Sequence, residues 1–267
     1  MTKPKKILRI LGRTAVAVAV VATLAFVERS ARTTPVTDVD VTVSGADGVH
    51  FLDAPAVRRM VLDQGTDVIG TPVGEVDLSE LEDRLNAIPA VARANVYHGM
   101  DGVLQVQVEQ REPIVRVLTG SGPGCYLDRD GWTFPTSEVH TARVLVATGP
   151  GVPGALARGV RHVPTDTLLS RDQVAMGLHA LARTIHEDPL LDALFDQVIV
   201  TAAGQFELLP RVGGQVVLIG DGSALKQRFN KLKQFYEHGM AGGDWRRYER
   251  IDLRFTDQIV CTQRSTP

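Results

Sequence analysis

Aromatic side chains are scarce in this chain: two Trp, four Tyr and eight Phe make up 5% of 267 residues. That argues against the aromatic girdles of a membrane barrel. Cysteine is rarer still, with only Cys125 and Cys261, and no histidine pair stands near either to complete a zinc site. No excess of one charge is present. The net charge of −2 is too small to point to nucleic acid or any strongly charged partner. The H-E-x-x-H, P-loop and G-x-S-x-G signatures are missing as well. What is present is a 44% hydrophobic content, enough for one or two packed cores, and 25 glycines, which suit many turns between strands.

The N-terminus carries five basic residues, Lys3, Lys5, Lys6, Arg9 and Arg13, ahead of "TAVAVAVVATLAFV", and no acid before Glu28. Residues 7–27 approach the ~20 that span a bilayer, with Arg9 and Arg13 reaching back to headgroups. The positive-inside rule leaves the first residues in the cytoplasm and carries everything after Glu28 across the membrane. A cleaved signal peptide is the alternative, because the uninterrupted apolar run, Ala15 to Val27, is short. Either reading makes the bulk of the chain extracytoplasmic. There a disulfide between Cys125 and Cys261 and two buried free thiols are both open.

Beyond the connector "ERSARTTP", apolar residues alternate at Val39, Val41 and Val43, the period of a half-buried strand. "DAPAVRRMVLDQG" reads as a helix capped by Asp53, with Pro55 in its first turn and Gly65 as its stop. A second helix aligns Leu78, Leu81, Leu85 and Ile88 and ends at Pro89. Two alternating runs follow, "VARANVYHG" and "VLQVQVEQREP", joined at "HGMDG" as a hairpin. The order is β-α-α-β-β.

From about Pro113 on, strands are read in "REPIVRVL", "CYLDRDGWTF", "TARVLVATG", "FDQVIVTAAGQFELLPRVGGQVVLIGD" and "YERIDLRFTDQIVCTQ". Two helices interrupt them. The first starts at a capping Ser170, with Gln173 three residues on, buries Val174, Leu178, Leu181 and Ile185, and closes at Asp188-Pro189. The second follows "VVLIGDGSALKQRFNKL", turns Leu225, Phe229, Leu232, Phe235 and Tyr236 inward, and stops at Gly239. Its glycine turn invites a phosphate, yet Leu225 stands where a dinucleotide loop needs its third glycine, Asp221 would set a carboxylate beside the phosphate, and the flanking strands read as hairpins. Gly220 and Gly222 are read as a plain turn, with Ser223 or Asp221 capping the helix.

No catalytic constellation emerges. His179 and His186 lie seven helical residues apart, ~10 Å, too far to share a metal. Asp128/Asp130 reads as turn chemistry and Glu80/Glu82/Asp83 as a solvated helix face. The basic run Lys226, Arg228, Lys231, Lys233 reads as a solvated face or a contact with an acidic partner.

The order β-α-α-β-β, with "GTPVGEVDLSELEDRL…IPAVARANVY…GVLQVQVEQREPI", resembles a POTRA domain. Together with "CYLDRDGWTFP" and "FELLPRVGGQVVLIGD…FNKLKQFYEHG…WRRYERIDLRFTDQIVC", the chain resembles the FtsQ/DivIB family of bacterial cell-division proteins, in its Bacteroidetes-type form. "HGMDG" departs from the family's basic-aromatic-proline hairpin tip. The resemblance implies an α+β fold with a single transmembrane helix, a POTRA domain, and a mainly antiparallel β domain with two helices. The expected boundaries are a cytoplasmic tail 1–6, membrane helix 7–27, linker 28–35, POTRA domain 36–112, β domain 113–263 and tail 264–267.

The same resemblance implies a non-enzymatic divisome scaffold in the inner membrane at the septum, its bulk periplasmic, with neither cofactor nor metal. It would bind FtsB/FtsL-type partners by β-augmentation and help recruit and regulate septal peptidoglycan synthesis. Carried onto this sequence, the contact falls on Arg254, Phe255, Asp257, Gln258, Ile259 and Val260. Phe255 would be the apolar anchor, Arg254 and Asp257 the selective charges, and Gln258 to Val260 the backbone ladder. Strict alternation turns at least one of Phe255, Ile259 and Val260 toward the core. The alternative function is a POTRA-bearing outer-membrane assembly factor, disfavoured because those POTRA domains lead into a long barrel.

Overall fold

A computed structural model describes residues 13–23, 33–46, 48–63, 68–99, 101–120, 122–239 and 246–264. Within the expected membrane span, residues 13–23 are helical and exposed, and the remainder of 7–27 lies outside the described residues. Among the described residues, no helix is long and apolar enough to cross a membrane. The chain divides into two units, one of residues 1–44 and 52–110, the other of residues 45–51 and 111–267.

In the first unit, the alternation at Val39 builds strand β1 (Asp38–Ser44). Helix α1 (Ala54–Leu62) begins where the Asp53 side chain accepts the Ala56 N–H at 2.7 Å, as the sequence predicts. Gly65, the expected stop, lies outside the described residues. Helix α2 (Leu78–Asn86) is capped by Asp77 and buries Leu81 and Leu85. Strands β2 (Val91–His98) and β3 (Val103–Gln110) complete a three-stranded sheet in the order β1-β3-β2, with β1 parallel and β2 antiparallel to β3. Both helices close on one face through Val39, Val57, Val61, Leu85, Val96 and Val106. Gly102, with φ of +79°, is obligatory at the hairpin end, because a Cβ there would lie 2.6 Å from the Pro35 carbonyl oxygen.

The second unit is one ten-stranded sheet. Its early strands are β4 (Pro113–Val117), β5 (Cys125–Asp128), β6 (Trp132–Pro135), β7 (Leu145–Thr148) and β8 (Arg161–His162). Helices α3 (Gln173–His186) and α4 (Pro189–Leu194) lead to β9 (Phe195–Val200), β10 (Phe206–Pro210) and β11 (Val216–Gly220). Helix α5 (Leu225–Gln234) and a π-helical turn, Phe235–Gly239, precede β12 (Tyr248–Asp252) and β13 (Val260–Gln263). The strand order is β13-β12-β11-β10-β9-β7-β4-β5-β6-β8. The sheet is mixed: β4/β7, β7/β9 and β11/β12 pair in parallel. Leu178, Leu181 and Ile185 of α3 and Phe229 and Leu232 of α5 share its core with Val198, Val200, Phe206, Leu208 and Ile219.

Two local expectations are corrected, the cap of α3 and the number of helices. The cap of α3 is Asp172, which accepts the Val174 and Ala175 N–H groups, because the fully buried Leu169 holds Leu169–Arg171 as a separate 3₁₀ turn that absorbs Ser170. Asp188-Pro189 follows the end of α3, as expected, and also opens a further helix: Asp188 caps α4 by accepting the Leu190 and Leu191 N–H groups, so among the described residues this unit has three α-helices where two were expected. Strands β11 and β12 do pair antiparallel with β10 and β13, as expected, but with each other they pair in parallel, through a crossover that contains α5. "YERIDLRFTDQIVCTQ" forms two antiparallel strands with a turn between.

The cysteines are both free. Cys125 on β5 and Cys261 on β13 are separated by seven strand spacings of ~4.8 Å, roughly 34 Å, against the ~7 Å limit for bridging Cα atoms. Burial pushes the Cys125 thiol up to about 12.

Asp128 does more than shape a turn. It is 3% exposed, pairs with the buried Arg111 at 2.9 Å, and accepts the Trp132 N–H at 2.7 Å, while the Arg111 guanidinium lies 4.8 Å from the Trp132 ring centroid. Desolvation raises the Asp128 carboxyl above its ordinary value even against Arg111. Replacing Arg111 by Met leaves that carboxylate without its buried counter-charge and lowers unfolding stability at pH 7 by about 3–5 kcal/mol. The deficit shrinks as the pH falls through the raised value, because protonation then removes the buried charge; urea titration across pH 4–7 checks both effects.

Candidate functional site

The C-terminal end of the ten-stranded sheet is an edge. Strand β13 pairs with β12 through Ile251↔Cys261 and Asp252↔Val260, and among the described residues its other flank has no strand beside it. Val260 and Thr262 share the face of Asp252 and Arg250, while Cys261 turns with Ile251 toward the core. Val260, Thr262 and Gln263 are exposed.

Of the six residues expected to meet a partner, only Val260 lies in this strand. Arg254, Phe255, Asp257, Gln258 and Ile259 lie in the β12–β13 turn, so the expected ladder from Gln258 starts two residues later. Ile259 packs against the core and is the one that faces inward. Phe255 is 45% exposed, and Asp257 and Gln258 are exposed.

The turn is held from two sides. Arg254 forks onto Asp252, Nε to Oδ1 at 2.9 Å and Nη2 to Oδ2 at 2.6 Å, and its backbone N–H meets the same carboxylate at 3.0 Å. That partnership lowers the Asp252 carboxyl and raises the Arg254 guanidinium from their ordinary values. From α5, the Lys231 ammonium donates to the Leu253 carbonyl at 3.2 Å and to the Phe255 carbonyl. The main chain around Phe255 is therefore fixed while its ring stays outside.

The glycine turn after β11 serves this corner. A Cβ at Gly220, whose φ is +88°, would sit 3.1 Å from Arg254 Cγ and 3.3 Å from Arg228 Nη1, so the missing side chain makes room for both arginines. Asp221 accepts from the Ser223 N–H at 3.0 Å, the Ser223 hydroxyl at 2.7 Å and Arg228 Nη1 at 3.0 Å; Arg228 also donates to the Ile219 carbonyl at 2.6 Å. Neither Asp221 nor Ser223 caps α5. Ala224 holds the cap position at φ 50° with no side-chain hydrogen bond. The parallel crossover supplies the topology of a nucleotide site, but Asp221 places its own carboxylate in the loop.

The basic run of α5 is largely engaged within the protein. Arg228 is held by the glycine turn, Lys231 by the 253–255 carbonyls, and Lys233 by Asp188. His179 and His186 of α3 also have separate partners, the Arg129 carbonyl at 3.1 Å and Glu112 at 3.3 Å. Among the described residues, no group of three or more His, Cys, Asp or Glu could hold a metal ion. Lys231, Asp252 and Thr262 were missed as site residues. Only Lys231 gave a signal, as part of the basic run.

A β-α-α-β-β unit followed by a mixed sheet left open at its last strand describes a binding module built on a POTRA-like domain, and a POTRA-like domain model matches residues 35–109. A family model described as FtsQ/DivIB, C-terminal related, matches residues 112–262, more than half of the chain. The chain belongs to the FtsQ/DivIB family. It is similar to the cell division protein FtsQ of Rhodothermus marinus, 27% identical over 224 residues that cover 82% of this chain and 76% of that protein. It is also similar to the cell division protein FtsQ of Salinibacter ruber, 27% identical over 206 residues that cover 73% of each chain.

Hydrogen bonds from Ser223, its hydroxyl first, and from Arg228 depress the Asp221 carboxyl to about 2. A depressed carboxylate stabilises above its unfolded value and loses that contribution as pH falls through the folded one. Thermal unfolding of the parent protein between pH 4 and pH 2 therefore falls more steeply than that of Asp221→Asn, and the two curves converge at the acid end.

Proposed function

We propose that this chain is a cell-division scaffold of the FtsQ kind that captures an extended partner segment along the open edge of β13. Family membership makes it a non-enzymatic division protein. The observation that carries the capture reading is the corner itself: a terminal strand with exposed Val260, next to a rigid turn that presents Phe255. Unpaired N–H and C=O groups supply affinity and the flanking side chains supply selection. The partners are single-pass division proteins of the FtsB/FtsL type, and their capture recruits and regulates septal peptidoglycan synthesis. The membrane segment 7–27 anchors the chain in the inner membrane, with residues 36–112 and 113–263 in the periplasm at the septum.

Depletion in the host is expected to give long undivided filaments, with tagged protein at mid-cell beforehand; normal cell length with a protein-poor outer membrane would instead promote an assembly-factor role. For the edge itself, Phe255→Lys is expected to weaken capture of an FtsB-type segment at least tenfold, about 1.4 kcal/mol, with an unchanged unfolding midpoint. Full capture by the folded variant would remove the edge assignment.

A further inference from the structure

An open sheet exposes hydrogen-bonding groups along both edges, and a chain that captures its partner by strand addition, as proposed above, needs one edge receptive and the others closed. The first unit has two such edges, β1 and β2, each paired, among the described residues, only with β3. We infer that side chains guard both of them, Glu82 and Asn86 of α2 on β2, and Arg58 of α1 with Asp38 at the start of β1.

On β2, Ala94 and Val96 stand two residues apart, so their N–H groups point the same way. Those groups donate to helix α2, Ala94 N–H to Asn86 Oδ1 at 2.8 Å and Val96 N–H to Glu82 Oε1 at 2.7 Å. The spacing fits: four helical residues rise ~6 Å and two strand residues ~6.8 Å, so one helix turn carries two acceptors onto two successive outward donors. Glu82 is thereby removed from the solvated acidic face to which its sequence neighbours assign it.

On β1, Val39 has both backbone groups taken. Its N–H donates to Asp38 Oδ1 at 2.8 Å, its carbonyl accepts from Arg58 Nε at 3.1 Å, and Arg58 Nη2 closes onto Asp38 at 2.5 Å. Upstream, the chain covers the approach to this edge with backbone pairs, Val36 N–H to Thr71 carbonyl at 2.9 Å, Gly70 N–H to Val36 carbonyl at 2.8 Å and Val73 N–H to Thr34 carbonyl at 2.9 Å.

The second unit differs. Its β8 edge is two residues long, too short to template a strand, and among the described residues no side chain hydrogen-bonds to the backbone of Val260–Gln263 on β13. The guards thus confine strand addition to β13, a conclusion that takes its meaning from the capture reading but is tested apart from it. An unguarded β2 or β1 would pair with the same edge of a second copy of this chain.

The test uses the full chain in detergent, followed by amide hydrogen exchange and sedimentation. In the Glu82→Ala/Asn86→Ala variant, the Ala94 and Val96 amides should exchange at least tenfold faster, and a species of twice the parent mass should appear with rising concentration. Glu82→Gln keeps an acceptor oxygen and should behave as the parent. Unchanged exchange, or faster exchange without the doubled species, overturns the inference. Arg58→Met probes the other edge independently should the double variant lose its fold, and parent-like sedimentation of Arg58→Met also overturns it. Adding Phe255→Lys separates the two readings: association that persists belongs to the unguarded edge, and association that vanishes belongs to β13 and overturns the guard.

Discussion

Backbone hydrogen bonding at the margin of a sheet is the constraint from which most of this structure follows. Interior strands satisfy both flanks with neighbours, but a terminal strand must find side chains, water or another chain for half of its N–H and C=O groups. The two sheets here meet that demand in different ways. In the small sheet, α1 and α2 bury its apolar face and also lend polar side chains to its rims. In the large sheet, one rim shrinks to the two residues of β8, and the other is left as β13 beside a turn that Lys231 and Asp252 hold in shape.

The glycine turn after β11 shows how a motif can be locally persuasive and serve another purpose. Strand, Gly-Asp-Gly and basic helix form a parallel crossover, the topology that nucleotide sites use. The space that a phosphate would need is instead taken by the protein's own charges: Asp221 receives Ser223 and Arg228, and Gly220 leaves room for the stem of Arg254. The same basic helix that hinted at an acidic partner turns its ammonium and guanidinium groups back onto the sheet.

What was legible in the sequence was local. Alternation at Val39, Val41 and Val43, the Asp53 cap and the Leu81/Leu85 stripe each state their structure within a few residues, and the β-α-α-β-β order follows from them. Harder to read were features set by distant partners. Ser170 and Asp172 are both good capping residues, and only the burial of Leu169 decides between them. The parallel pairing of β11 with β12 depends on how α5 packs, which no periodicity records. The break after Asp252 has no glycine or proline to mark it; it is imposed by Arg254 folding back and by Lys231 reaching across from α5. Glu82 and Asn86 read as ordinary helix surface until the strand they serve is in place.

The strand order of the large sheet also has a kinetic side. Strands β4 and β7, laid down early in the chain, sit inside the sheet, and β9, β10, β11, β12 and β13 are added outward in chain order along one wing. The β13 margin is thus the last layer in chain order, and its register depends on β12 having docked across α5. A partner that paired with this margin, as proposed, would read out completed folding of everything beneath it, and an unfinished copy would present no edge to pair with.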